Sequence, residues 1–284
     1  MPPRAQHSSG LAPRRTYRAK RRHGRLWAAA AGLAGLVAVA VVLLSSGGSC
    51  SPAPTTAPLR RITVGTGATI VLRGSPAERR RVVVLLHGWK LLGPEAYRRW
   101  SEHLARLGSI VILPRYQTAT AQDTSAVLAN AKVGIRAALD RLRLRPSSLV
   151  VAGHSAGAAL AADYAATAAD AGLPAPAAVF AVYPGRATRD NPPIPETDAS
   201  LIAADTRIVV LAGASDDVVG EGPARELVAA ATGVPPERRD FVVVDAPGAD
   251  KHFDPVLDGR PVRREIWRRL DRLVTAASRE RPSG

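Results

Sequence analysis

The sequence predicts an α/β fold in which helices flank a mostly parallel sheet, preceded by an N-terminal membrane-spanning or signal helix. From about residue 60 onward, short apolar runs alternate with amphipathic segments of a dozen or more residues, and strands separated by such helices form parallel βαβ units. The apolar fraction of 46% and the charged fraction of 22% are those of a globular chain. One uncharged stretch, Leu26–Leu44, precedes this region.

The predicted elements follow one another in a regular order. A hairpin of Arg61–Val64 and Thr69–Leu72 comes first. Six strands follow, and the first is a continuous apolar run, as expected of a strand buried on both faces. These strands are Arg81–Leu86, Ser109–Leu113, Ser148–Ala152, Ala177–Val182, Arg207–Ala212 and Phe241–Asp245. The predicted helices are Pro94–Leu107, Ser125–Leu142, Ser155–Ala171, Pro223–Thr232 and Pro261–Ala277.

The net charge of +15 is unevenly distributed along the chain. Residues 1–50 hold eight Lys and Arg residues and no Asp or Glu, which leaves about +7 on the rest. Much of that remainder lies on Arg260–Arg281, where arginines fall at helical spacing opposite apolar residues, as is typical of a solvated helix face. This distribution argues against nucleic acid as a partner. A surface for anionic lipid headgroups or another polyanion is the alternative interpretation of the arginine-rich face.

The N-terminal residues predict a membrane anchor. Residues 1–25 form a basic tail, and Leu26–Leu44 would span about 28 Å as a helix, enough to cross the hydrocarbon layer. Because a cleaved signal peptide usually has a shorter apolar core, we favour a single-pass signal-anchor in the cell membrane, with the tail in the cytoplasm and the rest outside. Residues 45–59 are then a flexible linker to a domain at 60–284. The alternatives are a cleaved, secreted protein and a lipid anchor on Cys50, the only cysteine.

A candidate nucleophile follows the third of the six predicted strands. The residues Gly153-His154-Ser155-Ala156-Gly157 have the pattern G-x-S-x-G between a strand and a helix, the context in which this pattern presents a serine. The two glycines let neighbouring backbone approach closely, and the helix N-terminus offers N–H groups to a developing negative charge. His154 is predicted to pack beside the turn and not to act as a base.

The partners of Ser155 are expected at other strand ends, because ligands of such sheets bind beyond the carboxyl ends of the strands. A serine hydroxyl becomes nucleophilic when a base removes its proton and an acid orients the base. His252, just past the last strand, is the predicted base. Asp216, which comes first off the preceding strand, is the predicted acid, with Asp217 as the alternative. No metal-ligand spacing and no phosphate-binding loop is present in the sequence, so neither a metal nor an organic cofactor is expected.

The chain resembles the α/β-hydrolase fold family across residues 60–278. Four signals carry the resemblance, in the family's order of Ser, then Asp, then His: His87-Gly88, the turn Gly153–Gly157, the strand end Gly213–Val219, and His252-Phe253. The resemblance implies an acyl-enzyme on Ser155. It also implies an oxyanion site formed by the backbone N–H groups of Trp89 and Ala156.

The resemblance further implies hydrolysis of carboxylic esters by a compact serine esterase or a dienelactone-hydrolase-like enzyme. The connection Tyr183–Thr206, where family members often insert a lid, is short and holds four prolines, which favours an open site and a small-molecule ester substrate. Trp89, Lys90 and Tyr116 are expected to contact that substrate. The alternatives are a serine peptidase or an acyltransferase on the same scaffold, and a non-catalytic, membrane-tethered binding protein.

Overall fold

The computed structural model describes residues 57–73, 81–90, 95–117, 123–146, 148–187 and 192–280. The predicted anchor at Leu26–Leu44, the basic tail and the lipidation candidate Cys50 lie outside these residues. Among the helices of the described ranges, none is both long enough and apolar enough to cross a membrane.

Eight strands of the described residues form one sheet. They are β1 (Leu59–Val64), β2 (Ala68–Arg73), β3 (Arg81–Leu86), β4 (Ile110–Pro114), β5 (Ser148–His154), β6 (Ala178–Val182), β7 (Arg207–Gly213) and β8 (Arg239–Val244). Their order across the sheet is β1-β2-β4-β3-β5-β6-β7-β8. The leading hairpin of β1 and β2 is antiparallel, and β3 to β8 pair with one another in parallel. The predicted mostly parallel sheet is therefore confirmed.

Helices cover both faces of this sheet, as predicted. They are α1 (Arg98–Arg106), α2 (Val127–Arg141), α3 (Ala156–Thr167), α4 (Gly222–Ala230), α5 (Arg260–Val262) and α6 (Arg268–Glu280). Side chains of α2, α3 and α4 share one buried cluster with the strands, and those of α1 and α6 share the other. The sequence did not predict the π-helical turn Arg263–Trp267 or the short 3-10 turns Ala199–Leu201, Pro236–Arg238 and Asp254–Val256.

The central strands are buried on both faces. Val82 and Val84 of β3 pack into one cluster while Val83 and Leu85 pack into the other, because successive side chains of a strand point to opposite faces. Helix α3 is buried along most of its length, since its many alanines let it lie close to the sheet. This packing fixes the N-terminus of α3, and with it Ser155, at the centre of the sheet edge.

An ion pair with a buried carboxylate fastens the connection between β6 and β7 to α3. Both carboxylate oxygens of Asp163 accept hydrogen bonds from the Arg186 guanidinium, at 2.7 and 2.8 Å, and the Asp163 side chain is only 2% exposed. The Thr197 hydroxyl donates to the same carboxylate at 2.7 Å. Within the described residues of this connection, the one helical element is the short turn Ala199–Leu201, so no long lid helix appears there.

Arg186→Met is expected to lower the free energy of unfolding by about 3 kcal/mol, because it leaves a buried carboxylate without its cation. Replacing both partners, as Asp163→Leu with Arg186→Met, is expected to recover part of this loss. Urea unfolding followed by circular dichroism measures both effects. Arg106→Met, which removes an exposed pair with Glu102, is the control and is expected to change stability by less than about 1 kcal/mol. Equal losses in the two single arginine variants would contradict the role of the buried pair.

Candidate active site

Ser155 lies on a strained turn between β5 and α3. Its backbone has φ of 56° and ψ of −123°, and a positive φ is unfavourable for any residue except glycine. Two glycines permit the turn: a Cβ on Gly153 would overlap the Gly157 carbonyl, and a Cβ on Gly157 would overlap the backbone at the end of β3. The Ser155 N–H donates to the carbonyl oxygen of Val182 at 2.9 Å, which joins the turn to β6.

The structure brings the three predicted catalytic side chains into hydrogen-bond contact. His252 Nε2 lies 2.9 Å from Ser155 Oγ, and His252 Nδ1 lies 2.8 Å from Asp216 Oδ2. The imidazole and the carboxylate are both buried, so water competes little for the bond between them. Both separations are within the reach that proton transfer requires. These contacts join the hydroxyl of Ser155, the imidazole of His252 and the carboxylate of Asp216 into one hydrogen-bonded relay.

The turn after β7 explains why Asp216, and not Asp217, meets the imidazole. Asp216 Oδ1 accepts the backbone N–H groups of Val218 and Val219, each at 3.0 Å, which directs Oδ2 toward His252. Asp217 is exposed. Burial raises the pKa of Asp216, but the hydrogen bonds from His252 and from the two backbone groups outweigh burial, so the pKa lies below its usual value. Asp216 is therefore a carboxylate at neutral pH.

The loop that carries the predicted base is held against β6 and β7. The Ser215 N–H donates to the Asp250 carbonyl at 3.2 Å, and the Tyr183 hydroxyl donates to the Ala249 carbonyl. A Cβ on Gly213 would overlap the Asp250 carbonyl, so glycine at the end of β7 lets the loop approach. These contacts bring a loop from the edge strand β8 back toward the centre of the sheet.

The loop after β3 leaves one backbone donor for the predicted oxyanion site. The Gly88 N–H donates to the Tyr97 hydroxyl oxygen at 2.8 Å, and the Lys90 N–H donates to Gln117 Oε1 at 3.1 Å. Between them, the Trp89 N–H has no acceptor in the described part of the chain. Of these three consecutive N–H groups, only that of Trp89 is therefore left, within the described residues, to donate to an oxyanion.

The remaining predicted site residues lie near this loop. Ala156 is the first residue of α3, where backbone N–H groups have no intrahelical acceptor. Tyr116 is buried, stacks on His87 at 4.0 Å between ring centroids and donates its hydroxyl proton to the His87 carbonyl, so it supports the loop. Lys90 is exposed and has φ of 60°. Substrate contacts of Trp89, Lys90 and Tyr116 stay predictions.

Two buried histidines beside the relay are neutral. Burial lowers the pKa of His87 to about 4 and that of His154 to about 3. His154 is packed beside the turn, as predicted, but it also makes two hydrogen bonds that the sequence did not predict. Its Nδ1 lies 2.9 Å from the Tyr97 hydroxyl oxygen, and its Nε2 lies 2.7 Å from the His252 carbonyl oxygen. No sequence motif marks Tyr97, which precedes α1.

The sheet edge around Ser155 is open and partly apolar. Val218 and Phe253 are each more than half exposed, and the Phe253 ring meets the His252 ring edge-on, with 5.0 Å between the ring centroids.

A cavity of about 210 Å³ lies beside the first turns of α3, with Ala159 in its lining. A larger cavity of about 460 Å³ lies near the beginning of β7 and β8 and shares no residue with the relay. Within the described residues, no group of three His, Cys, Asp or Glu side chains is arranged to hold a metal ion.

Gly157→Ala is expected to destabilise the protein by about 3 kcal/mol, because the added methyl group would overlap backbone at the end of β3 that cannot move alone. Gly222→Ala is the matched control, since nothing lies within 4 Å of a Cβ at the first residue of α4. This control is expected to be neutral or stabilising by about 0.5 kcal/mol. Urea unfolding measures both. Similar stabilities for the two variants would contradict the close contact at Gly157.

Comparison with protein families agrees with this architecture. A profile of the family described as the alpha/beta hydrolase fold matches residues 83–227. The matched span includes Ser155 and Asp216 and ends before His252. No match was found among curated proteins.

Several solved structures have the same fold. An esterase of Pyrobaculum calidifontis is 19% identical, with a TM-score of 0.59, over 78% of this chain and 87% of its own. Esterase 2 of Thermogutta terrifontis, in a structure phosphoramylated by tabun, is 18% identical, with a TM-score of 0.57, over 79% of this chain and 96% of its own. MGS-M1, an α/β hydrolase enzyme from a Medee basin deep-sea metagenome library, is 20% identical, with a TM-score of 0.55, over 78% of this chain and 98% of its own.

Proposed function

Because this chain belongs to the α/β-hydrolase fold family, we propose that it is a serine hydrolase that cleaves carboxylic esters through an acyl-enzyme on Ser155. The observation that carries the proposal is the continuous relay from Ser155 Oγ through His252 to Asp216, with separations of 2.9 and 2.8 Å. The relay lies at the carboxyl ends of parallel strands, where ligands of such sheets bind. Two of the solved structures with this fold are of esterases.

In the first half of the reaction, His252 Nε2 takes the Ser155 hydroxyl proton as Oγ attacks the ester carbonyl carbon. The imidazolium that forms is stabilised by Asp216, which is ionised because of its lowered pKa. The carbonyl oxygen becomes an oxyanion and accepts the N–H groups of Trp89 and Ala156, each worth about 3 kcal/mol of the barrier. The bond to the alcohol oxygen then breaks as His252 donates its proton to the leaving group, and Ser155 is left acylated.

Water completes the reaction in the second half. His252 Nε2 takes a proton from water as the water oxygen attacks the acyl carbon, and the same N–H groups stabilise the second oxyanion. The bond between the acyl carbon and Ser155 Oγ breaks, and the imidazolium returns its proton to Oγ. One ester and one water become one carboxylic acid and one alcohol, and the protein is unchanged. This chemistry requires neither a metal nor an organic cofactor.

The open edge of the site supports a small-molecule ester as the substrate. Val218 and Phe253 are exposed beside the acid and the base, so they offer apolar surface to the acyl or alcohol group. The described residues of the connection between β6 and β7 hold no long helix to cover them. We propose that Trp89 and Lys90, on the loop that leads away from the oxyanion site, also contact the substrate.

We also propose that the protein is anchored in the cell membrane by residues 26–44, with residues 1–25 in the cytoplasm and the hydrolase domain outside. The proposal rests on the uncharged apolar stretch and the basic residues before it.

Alkaline carbonate extraction of membranes that contain the full chain is expected to leave the protein in the membrane fraction. Protease added to intact cells is expected to digest the hydrolase domain. Release into the medium would instead support cleavage and secretion. Loss of membrane retention in Cys50→Ser would support a lipid anchor.

A fluorophosphonate probe is expected to label the wild-type protein and not Ser155→Ala, because the phosphorus of the probe reacts with an activated serine oxygen.

Asp216→Asn is expected to lower kcat for p-nitrophenyl acetate on the order of 10⁴-fold, since the imidazole loses the carboxylate that orients it and stabilises its charge. Asp217→Asn changes the adjacent, exposed carboxylate and is expected to keep wild-type kcat. Gel fluorescence and initial rates measure these effects.

Labelling that survives Ser155→Ala, or equal losses of kcat in the two aspartate variants, would contradict the proposed relay. The products separate the rival activities. Cleavage of peptides without turnover of esters would indicate a peptidase, and ester formation with an added alcohol in preference to hydrolysis would indicate an acyltransferase. Absence of both labelling and turnover in the wild-type protein would indicate a non-catalytic binding protein.

A further inference from the structure

We propose that Tyr97 and His154 are positioning residues that align two parts of the site through one buried hydrogen-bond chain. These parts are the oxyanion loop, which is the loop after β3 that carries Trp89, and the catalytic base His252. This inference rests on the proposed function, because it concerns the geometry of the same site. Tyr97 is 1% exposed and His154 is 0% exposed, so neither is placed to bind substrate. Neither residue belongs to the relay of hydroxyl, imidazole and carboxylate.

The chain consists of three consecutive hydrogen bonds. The Gly88 N–H lies 2.8 Å from the Tyr97 hydroxyl oxygen, and that oxygen lies 2.9 Å from His154 Nδ1. His154 Nε2 lies 2.7 Å from the backbone carbonyl oxygen of His252. The chain therefore begins on the residue before Trp89, passes through the residue before the nucleophile, and ends on the backbone of the base.

One arrangement of protons satisfies every atom in this chain. The His252 carbonyl can only accept, so His154 Nε2 must donate to it. Burial and the nearby His252 lower the pKa of His154 to about 3, so the ring is neutral and its Nδ1 is an acceptor. The Tyr97 hydroxyl must then donate to Nδ1, and its oxygen is left to accept the Gly88 N–H. Every hydrogen bond therefore has a defined direction.

At one end, the hydrogen-bond chain fixes the direction of the predicted oxyanion donor, the Trp89 N–H. The Gly88 N–H is held by Tyr97, and the Gly88 carbonyl oxygen is held by His87 Nδ1 at 2.9 Å. The peptide between Gly88 and Trp89 is planar, with its carbonyl oxygen and its N–H on opposite sides. Because the N–H and the carbonyl oxygen of Gly88 are both held by hydrogen bonds, the Trp89 N–H has a fixed direction.

At the other end, the chain fixes the backbone from which the base reaches Ser155. The His252 carbonyl is buried next to the turn, and without His154 it would be an unpaired buried acceptor. Catalytic groups must be held within about 0.5 Å of their productive positions. A displacement of about 1 Å can lower a rate on the order of 10²-fold. Loss of the chain should therefore reduce turnover more than substrate binding.

Three single substitutions break the chain at different links. Tyr97→Phe keeps the ring and removes the hydroxyl. His154→Asn keeps an acceptor near the position of Nδ1 and loses the donor to His252, whereas His154→Gln keeps a donor near the position of Nε2 and loses the acceptor for Tyr97. Tyr164→Phe is the matched control. Tyr164 is as buried as Tyr97, and its hydroxyl donates a proton to the Pro174 carbonyl at 2.9 Å. It lies on α3 more than two turns beyond Ser155, so its hydrogen bond is not part of the site.

Rates are measured per active site, counted by titration with the fluorophosphonate probe, so that misfolded protein does not contribute. Tyr97→Phe and His154→Asn are expected to lower kcat for p-nitrophenyl acetate about ten- to a hundredfold, with KM changed less than about twofold. Tyr164→Phe is expected to keep the wild-type kcat. His154→Gln, which retains the donor to His252, is expected to fall between wild type and His154→Asn.

The separation of kcat from KM, together with partial rescue, adds a readout that a general loss of stability would not give. A variant that only unfolds more easily keeps the wild-type kcat and KM at the active sites that remain folded. His154→Gln, which keeps the donor to the His252 carbonyl, is expected to recover part of the kcat that His154→Asn loses.

Wild-type kcat per active site in both Tyr97→Phe and His154→Asn would overturn the positioning role, as would a loss of kcat/KM that comes from a raised KM alone. A decrease of the same size in Tyr164→Phe would show a general effect of lost stability and would also overturn it. If neither His154 variant folds, kcat of Tyr97→Phe decides. Failure of the proposed function is distinguishable, because the wild-type protein would then neither react with the probe nor hydrolyse the ester.

Discussion

The candidate site depends on how closely backbone passes backbone at the turn that carries Ser155. A Cβ on Gly153 or Gly157 would overlap neighbouring carbonyl groups, and for Gly157 those carbonyls belong to the end of β3. This contact holds Ser155 at a positive φ, a conformation that costs on the order of 1–3 kcal/mol and persists only where the surroundings enforce it. The loop after β3 and the serine are therefore neighbours for a steric reason, before any polar contact is made.

Polar contacts then select one geometry among those that the packing allows. Asp216 accepts three hydrogen bonds and His154 makes two, so neither side chain can rotate without leaving a buried group unpaired. Among the described residues, the exceptions near the relay are on the loop after β3, where His87 Nε2 and Trp89 Nε1 are buried without a partner. An unpaired buried group costs about 1–3 kcal/mol, and these two ring nitrogens, unlike the side chains of Asp216 and His154, add no hydrogen bond that selects the geometry of their surroundings.

Local patterns in the sequence were sufficient for the fold and for the order of the relay, but not for its supports. The parallel strands β3 to β8 each have a continuous apolar run, and Ser155 lies in a turn whose glycine spacing is visible within five residues. The contacts of His154 with Tyr97 and His252 join positions 57 and 98 residues apart. The pairing of Asp163 with Arg186 similarly depends on tertiary packing. No periodicity records such contacts, because each partner is an ordinary residue of its own segment.

Different parts of the candidate site are supported from the two faces of the sheet. Successive residues of β5 point to opposite faces, so α3 begins on one face while His154 contacts Tyr97 and Tyr183 of the buried cluster on the other. Helix α1, which contributes no residue to the relay, packs in that cluster through Trp100 and Leu104. The position of the Tyr97 hydroxyl therefore depends on how α1 packs against the sheet. Substitutions in this hydrophobic interface would displace both the loop after β3 and the loop that carries His252, although no residue of the interface belongs to the relay.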